Sequence, residues 1–273
     1  MVPMTVVVKI GGRGGIDVPS LCADIAGLTA RGTHVVLVHG GSGAMEELAE
    51  RLGVGLRDLV APDGVVTRRT DEATLDTLTL ALAGRVKPAL LTELARHGVR
   101  AIGLTGIDGG LLRARRRKAI RSVEDGRTVV VRDDHSGRIE SVDTSLLRGL
   151  LGLGLAPVVS PPALTEDGNP VNVNADRVAG AVAVAMGADR LVFLTDVPGV
   201  LADGAVVREL RLPGTGITGG MGIKLVAAGQ ALAGGVSRVY IAGGGGKKPI
   251  SLALAGKTGT RVLTEEEAGC AVE

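Results

Sequence analysis

Two short apolar runs in this chain each end in a pair of glycines and pass straight into a helical pattern. Residues 5–10 (TVVVKI) lead into Gly11-Gly12, and residues 34–38 (HVVLV) lead through His39 into Gly40-Gly41. Both runs are short and rich in valine, as buried strands are. Residues 21–30 and 45–52 carry apolar side chains at helical spacing. A strand–helix–strand–helix order calls for parallel strands with crossover helices, a doubly wound α/β fold. Ligands in such folds sit beyond the carboxyl ends of the strands, so both glycine pairs are expected at that edge.

The second half continues the alternation. Strands are expected at 100–104, 156–160, 190–195 and 238–242, and helices at 175–186 and 222–233. Residues 71–97 read as one long helical pattern capped by Thr70 or Asp71, with Pro88 expected to kink or split it. Residues 54–68 read as a loop or hairpin, and the turn signals within 111–142 read as β-hairpins. No linker interrupts the chain, so residues 1–273 are expected to form a single domain. The core must come from Val, Leu, Ile and Ala, because Phe193 and Tyr240 are the only aromatic residues. That composition suits a parallel sheet covered on both faces.

Several function classes are disfavoured. A net charge of +2 argues against bulk nucleic-acid binding. Cys22 and Cys270 stand far apart with no CxxC pair, which fits a reducing cytosol without structural zinc or a disulfide framework. The first residues lack a charged segment and a long apolar stretch, so no signal peptide is expected. The apolar stretch 146–160 is broken by Arg148, Gly and Pro and does not read as a membrane span. A cytoplasmic protein is the expectation.

The polar residues point to phosphate. Glycine lets backbone N–H groups approach an anion with no Cβ in the way, and the second loop opens a helix whose N-terminus favours negative charge. Lys9 adds a cation beside these loops. Each loop alone would pass as an ordinary turn; two at one edge with a lysine read as a phosphate cradle. A P-loop is absent, since Ser251 stands where the first glycine of that motif belongs in 251–258, and GxGxxG is missing after the first strand. Asn172, Asn174 and Asp176 precede an alanine-rich helix, where an N-cap explains one of the three. Thr195-Asp196-Val197-Pro198-Gly199 follows a strand, and Gly219-Gly220-Met221-Gly222 opens a helix with Lys224 in its first turns.

Read in order, these motifs resemble the amino acid kinase family, and within it the acetylglutamate kinase branch. The likeness runs through Lys9-x-Gly-Gly12, His39-Gly-Gly, Arg68-x-Thr-Asp71, Gly103-Leu-x-Gly106-x-Asp108-Gly109, Asn172-x-Asn-x-Asp176, Asp196-x-x-Gly199, Gly220-Met-x-x-Lys224 and Gly259-Thr260-x-Val262. It implies a three-layer αβα sandwich with a mainly parallel central sheet. An acyl-substrate lobe (1–165) would precede a nucleotide lobe (166–273), with ATP and Mg²⁺ as co-substrate and no protein-held metal. By the same resemblance Lys9 and Lys224 would neutralise the moving phosphoryl group and Asp176 would hold both. Gly11, Gly12, Gly40 and Gly41 would donate N–H groups to the phosphates and the moving phosphoryl. Arg68 and Asn172 would grip the acyl substrate, with Gly41 and Ser42 near its amide. Thr195, Asp196, Gly199, Gly220, Met221 and Gly222 would line the nucleotide site.

Finer features resemble the sub-branch whose substrates hang from an acidic, LysW-like amino-group carrier protein. Ser42 stands where acetylglutamate kinases have a third glycine, and residues 161–164 (PPAL) match that group. Residues 113–121 hold six basic residues in nine, including Arg113, Arg115, Arg116, Arg117 and Lys118. Most charge runs are solvated faces, but here the resemblance implies a surface for the carrier, in lysine or arginine biosynthesis. An ordinary N-acetylglutamate kinase is the first rival, and an inert sensor with this fold the second. Lys87-Pro88 replaces the family's Asn-Lys on a helix that the resemblance places at a homodimer interface. The N-terminal extension of arginine-inhibited acetylglutamate kinases is missing, so a hexamer and arginine feedback are not expected.

Overall fold

In the computed structural model, residues 3–12, 14–62, 64–213 and 217–264 are described. Eight strands form the central sheet, in the order Glu209–Arg211, Thr260–Leu263, Arg238–Gly243, Arg190–Thr195, Thr5–Ile10 (β1), His34–His39 (β2), Ala156–Ser160 and Ala101–Thr105. All neighbours run parallel except Arg238–Gly243 with Thr260–Leu263. β1 lies where the strand order reverses, with β2 on one side and Arg190–Thr195 on the other. The crevice at such a switch point is where a doubly wound sheet opens for ligands, and Gly11-Gly12 follows β1 into it.

The helices are Val18–Ala30 (α1), Ser42–Leu52 (α2), Glu72–Leu80 (α3), Lys87–Arg96 (α4), Thr144–Gly152 (α5), Ala175–Met186 (α6), Gly219–Ala233 (α7) and Pro249–Leu254 (α8). Alternation along each strand divides them into two outer layers. Val7, Val36, Val38, Leu191 and Phe193 share one apolar cluster with α5, α6 and α7. Val6, Val8, Val35, Leu37, Val192 and Tyr240 share the other with α1, α4 and α8. The result is the αβα sandwich expected from the motifs. Among the described residues no helix is long and apolar enough to cross a membrane. Cys22 is buried and free, its thiol pushed up to about 12 by burial; Cys270 lies outside the described residues.

The long pattern at 71–97 resolves differently from a Pro-broken helix. Asp71 caps α3 by accepting from Thr74 N. Residues 81–86 then form a π-helical turn, and α4 begins at Lys87 with Pro88 in its first turn. The Lys87 N–H bonds back to the Leu82 carbonyl, five residues earlier. This wider turn shifts the bonding pattern just before the residue that has no N–H to give, so the chain continues past Pro88. α2 starts earlier than its apolar spacing suggests, at Ser42, and α7 starts at Gly219 rather than Gly222. Asp58–Val60 and Val66–Arg68 form the expected hairpin. The 111–142 region is a nested pair: Leu112–Arg116 against Gly137–Val142, with Ile120–Glu124 against Arg127–Val131 at its tip.

Candidate active site

At the crevice, one carboxylate holds two ammonium groups. Lys9 points from β1 toward the layer of α6, as Val7 does, and is only 5% exposed. Asp176 stands in the first turn of α6 and is 6% exposed. Lys9 Nζ lies 2.9 Å from Asp176 Oδ1, and Lys224 Nζ, from α7, lies 3.2 Å from Oδ2. The Lys224 contact is a hydrogen bond. The Lys9 contact is an ion pair, and Oδ1 has no other partner among the described residues. Two cations and one anion leave a positive charge in a nearly dry site. Burial lowers the pKa of Lys9; Asp176 opposes that shift and Lys224 adds to it. An anion entering here would relieve the repulsion between the lysines and favour the charged form of Lys9.

The glycine loops close on this cluster. Gly11 N donates to Leu194 O (3.0 Å), and Gly43 N donates to Gly12 O (2.9 Å). A Cβ on Gly12 would stand 2.7 Å from Gly41 N and 2.8 Å from Ser42 N. Only glycine permits that approach, which turns the amides of the second loop onto the first. Gly41 caps α2 and Thr218 caps α7 without a side-chain hydrogen bond, whereas Asn174 caps α6 with its Oδ1 on Asp176 N and Arg177 N. Both of these uncapped starts carry glycine in their sequence, and an uncapped helix N-terminus suits an anion. Gly12→Ala is expected to push the loops apart and cost about 1–3 kcal/mol. A thermal melt and a kcat measurement check it; wild-type values for both would contradict the close approach.

The other residues singled out in the sequence each have defined neighbours. Thr195 Oγ1 donates to Asp196 Oδ1 (2.8 Å), and the Asp196 charge reaches Lys9. Met221 and Gly222 are half-buried and Gly220 is exposed in the first turn of α7. Gly199 is buried, and a Cβ there would meet Thr260 Oγ1 and Val206 Cγ1, both at 2.9 Å. Packing is thus one reason for that glycine. Arg68 is held by Glu46 (2.9 Å) and Asp58 (3.4 Å). Asn172 Nδ2 donates to Thr70 Oγ1 (3.1 Å). Gly40 follows the buried His39, whose Nδ1 lies 3.0 Å from Gly40 O.

Asp134, Arg138 and Arg177 carry no motif that marks them in the sequence. Asp134 is buried and accepts from Thr70 N (2.7 Å) and Ser136 N (2.8 Å), while Thr70 O accepts from His135 N. This network, with Asn172 N donating to His135 O, ties the basic hairpin to Arg68 and Asn172. Within the hairpin, Arg116 donates to Asp134 O, Arg113 to Thr165 O, and Arg115 pairs with Glu140 at 2.6 Å. Arg117 and Lys118 are exposed. Arg138 and Arg177 join them: burial first, then Arg117 and Arg138, lower the pKa of Arg177. A cavity of about 320 Å³ opens between Gly137–Val142, α6 and α7, lined by Arg138 and Arg177, beside the lysine–aspartate centre rather than at it. Among the described residues no three of His, Cys, Asp and Glu are grouped to hold a metal ion.

An αβα sheet with two lysines on one buried aspartate at its switch point describes a phosphotransferase. The model of the amino acid kinase family matches residues 4–243, and the chain belongs to that family. It is 39% identical over 263 residues to a [LysW]-aminoadipate kinase of Deinococcus radiodurans, covering 92% of this chain and 89% of that protein. An acetylglutamate kinase of Geobacillus stearothermophilus is 38% identical over 250 residues, covering 88% and 90%. Among solved structures, smu.665 from Streptococcus mutans superposes with a TM-score of 0.75 at 25% identity, covering 94% and 98%. The chain is an ATP-using kinase with a carboxyl group as acceptor.

Proposed function

We propose that this kinase phosphorylates the side-chain carboxylate of an aminoadipate- or glutamate-type residue whose amino group is blocked by attachment to a small acidic, LysW-like carrier protein. The observation that carries the reading is the arginine-rich hairpin, tied through Thr70, Asp134 and His135 to Asn172 at the crevice. Identities of 39% and 38% do not separate the two kinds of relative, so the surface beside the site decides. A free N-acetyl amino acid would gain little from exposed Arg117, Arg138 and Lys118 beside the half-buried Arg177. An acidic protein would be steered and held by them.

The chemistry asks for position and charge. The acceptor carboxylate is ionised near neutral pH, so no general base is needed. One of its oxygens attacks the γ-phosphorus of ATP. The bond from that phosphorus to the β–γ bridging oxygen breaks, and ADP and an acyl phosphate form. Lys9 and Lys224 neutralise the charge on the phosphoryl oxygens as it spreads, and Asp176 fixes both ammonium groups before substrate arrives. The N–H groups of Gly12 and Gly41 face the phosphates; those of Gly11 and Gly40, expected from the sequence to do the same, are instead spent on Leu194 O and Ile10 O. Arg68 and Asn172 hold the substrate, near Gly41 and Ser42, and Thr195, Asp196, Gly199 and 220–222 line the nucleotide site. Mg²⁺ enters on the ATP phosphates. Residues 1–165 serve the acyl substrate and 166–273 the nucleotide. We also place the chain in the cytoplasm as a homodimer, for which the outer edge of Ala101–Thr105 offers backbone groups without a neighbouring strand.

Changing Arg115, Arg116 and Arg117 together to alanine is the test. KM for a carrier-linked acid is expected to rise about tenfold or more, and more steeply as salt is lowered, with KM for ATP unchanged. Unchanged KM for the carrier-linked acid would remove the hairpin from the account. The rival reading, a free N-acetylglutamate kinase, draws on the 38% identity to acetylglutamate kinase.

A further inference from the structure

Beneath the second glycine loop lies a row of buried polar groups that phosphoryl transfer leaves unused. Thr105 pairs with Ser160 across two neighbouring strands, and Val159 pairs with Val38, which puts Ser160 beside His39. The three side chains share the face of Ala156, Val158 and Leu37, covered by α4. They are 8%, 0% and 1% exposed. Lys87 of α4, 7% exposed, lays its stem over the same face. A Cβ on Gly103 would stand 2.5 Å from Lys87 Cδ, so the strand has given up a side chain to admit the lysine.

Bond accounting leaves a complementary set. Thr105 N and Oγ1 both donate to Asp108 Oδ2. His39 Nδ1 lies 3.0 Å from Gly40 O; a carbonyl only accepts, so Nδ1 carries the proton and Nε2 is an acceptor. Nε2 and Ser160 Oγ are both buried without a partner. The Lys87 ammonium, a triple donor, makes no hydrogen bond or ion pair among the described residues, with Asp108 its stabilising charge. A buried acceptor left unmet is costly, and a donor that reaches it removes the cost.

The peptide after His39 is where this matters. In a trans peptide the C=O and the following N–H point in opposite directions. The His39 ring draws the Gly40 carbonyl toward the α4 face. The Gly41 N–H is thereby turned the other way, toward Gly12 and the layer that holds Lys9 and Asp176. We infer that Lys87 is a positioning residue for phosphoryl transfer: its ammonium donates to His39 Nε2, and the ring donates to Gly40 O, locking the Gly41 N–H toward the moving phosphoryl group. Electrostatics agree. Burial first, then Lys87 and Lys9, bring the pKa of His39 down to about 4 against the pull of the Gly40 bond. The ring therefore stays neutral, as a relay with one donor and one acceptor must be. The inference rests on assigning the Gly40-Gly41 loop to the phosphoryl group.

A double-mutant cycle on the full chain tests it, with ATP–Mg²⁺ and an acid that the wild-type protein turns over. Lys87→Met is expected to lower kcat roughly tenfold with both KM values within about twofold. Lys87→Arg should recover most of the loss. His39→Asn keeps a donor near Gly40 O but has no Nε2, so adding Lys87→Met to it should cost nothing more. Should Lys87→Met not fold, Lys87→Gln, which donates without charge, takes its place and should keep kcat near wild type in the His39 background. Wild-type kcat in Lys87→Met, loss of kcat in a folded Lys87→Gln, or multiplying losses in the double variant would overturn the relay. A wild-type protein that turns over no acid would instead sink the function itself.

Discussion

Replacing Lys224 with alanine is expected to lower kcat on the order of a hundred- to a thousandfold, and Lys9→Ala to do the same. Each ammonium stands within 3.2 Å of Asp176 in a site that water scarcely reaches. Charge in such a place is worth far more than on the surface, and here it is fixed before the reaction begins. Losing one ammonium removes about 2–4 kcal/mol from the transition state. The fold should survive either change, because Asp176 keeps the other lysine as its partner. Steady-state kinetics with a thermal melt checks both points. Near-normal turnover in both variants would sink the lysine assignment.

Asp176→Asn should act on stability and rate together. It leaves two ammonium groups side by side without the carboxylate they share, and breaking a buried ion pair by removing one partner costs about 3–5 kcal/mol. Burial already lowers the pKa of Lys9, and Asp176 is the strongest force holding it up. Without the carboxylate the value drops further, and Lys9 is charged only below it. The kcat of the variant should therefore fall with rising pH earlier than that of the wild type. Urea unfolding and a pH profile of kcat measure these effects. An unchanged midpoint with a flat profile would contradict them.

Local signals account for what was legible in the sequence. β1 and β2 stood out because valine runs end abruptly at glycine pairs, and both pairs do reach the switch-point crevice. The hairpins at 58–68 and 112–142 announced themselves through turn residues. The expected division of the 71–97 pattern falls just before Pro88, as a π-helical turn at 81–86 that spacing does not show. Long-range pairing was legible only through family likeness. Nothing in spacing says that Asp176 meets Lys9 and Lys224. Nothing marks Asp134, one acid in a polar turn, as the buried acceptor for Thr70. Arg138 and Arg177 join the basic hairpin only once Gly137–Val142 packs on α6. The row of His39, Ser160 and Thr105 exists only after strand register is set.

Trapping of acyl phosphate as a hydroxamate, with carrier-linked and free N-acetyl acids offered at equal concentration, goes to the heart of the proposal. The carrier-linked acid should give hydroxamate efficiently in an ATP-dependent way, and the free acids should give little. A strong preference for free N-acetylglutamate would contradict the carrier reading while leaving the lysine–aspartate chemistry in place.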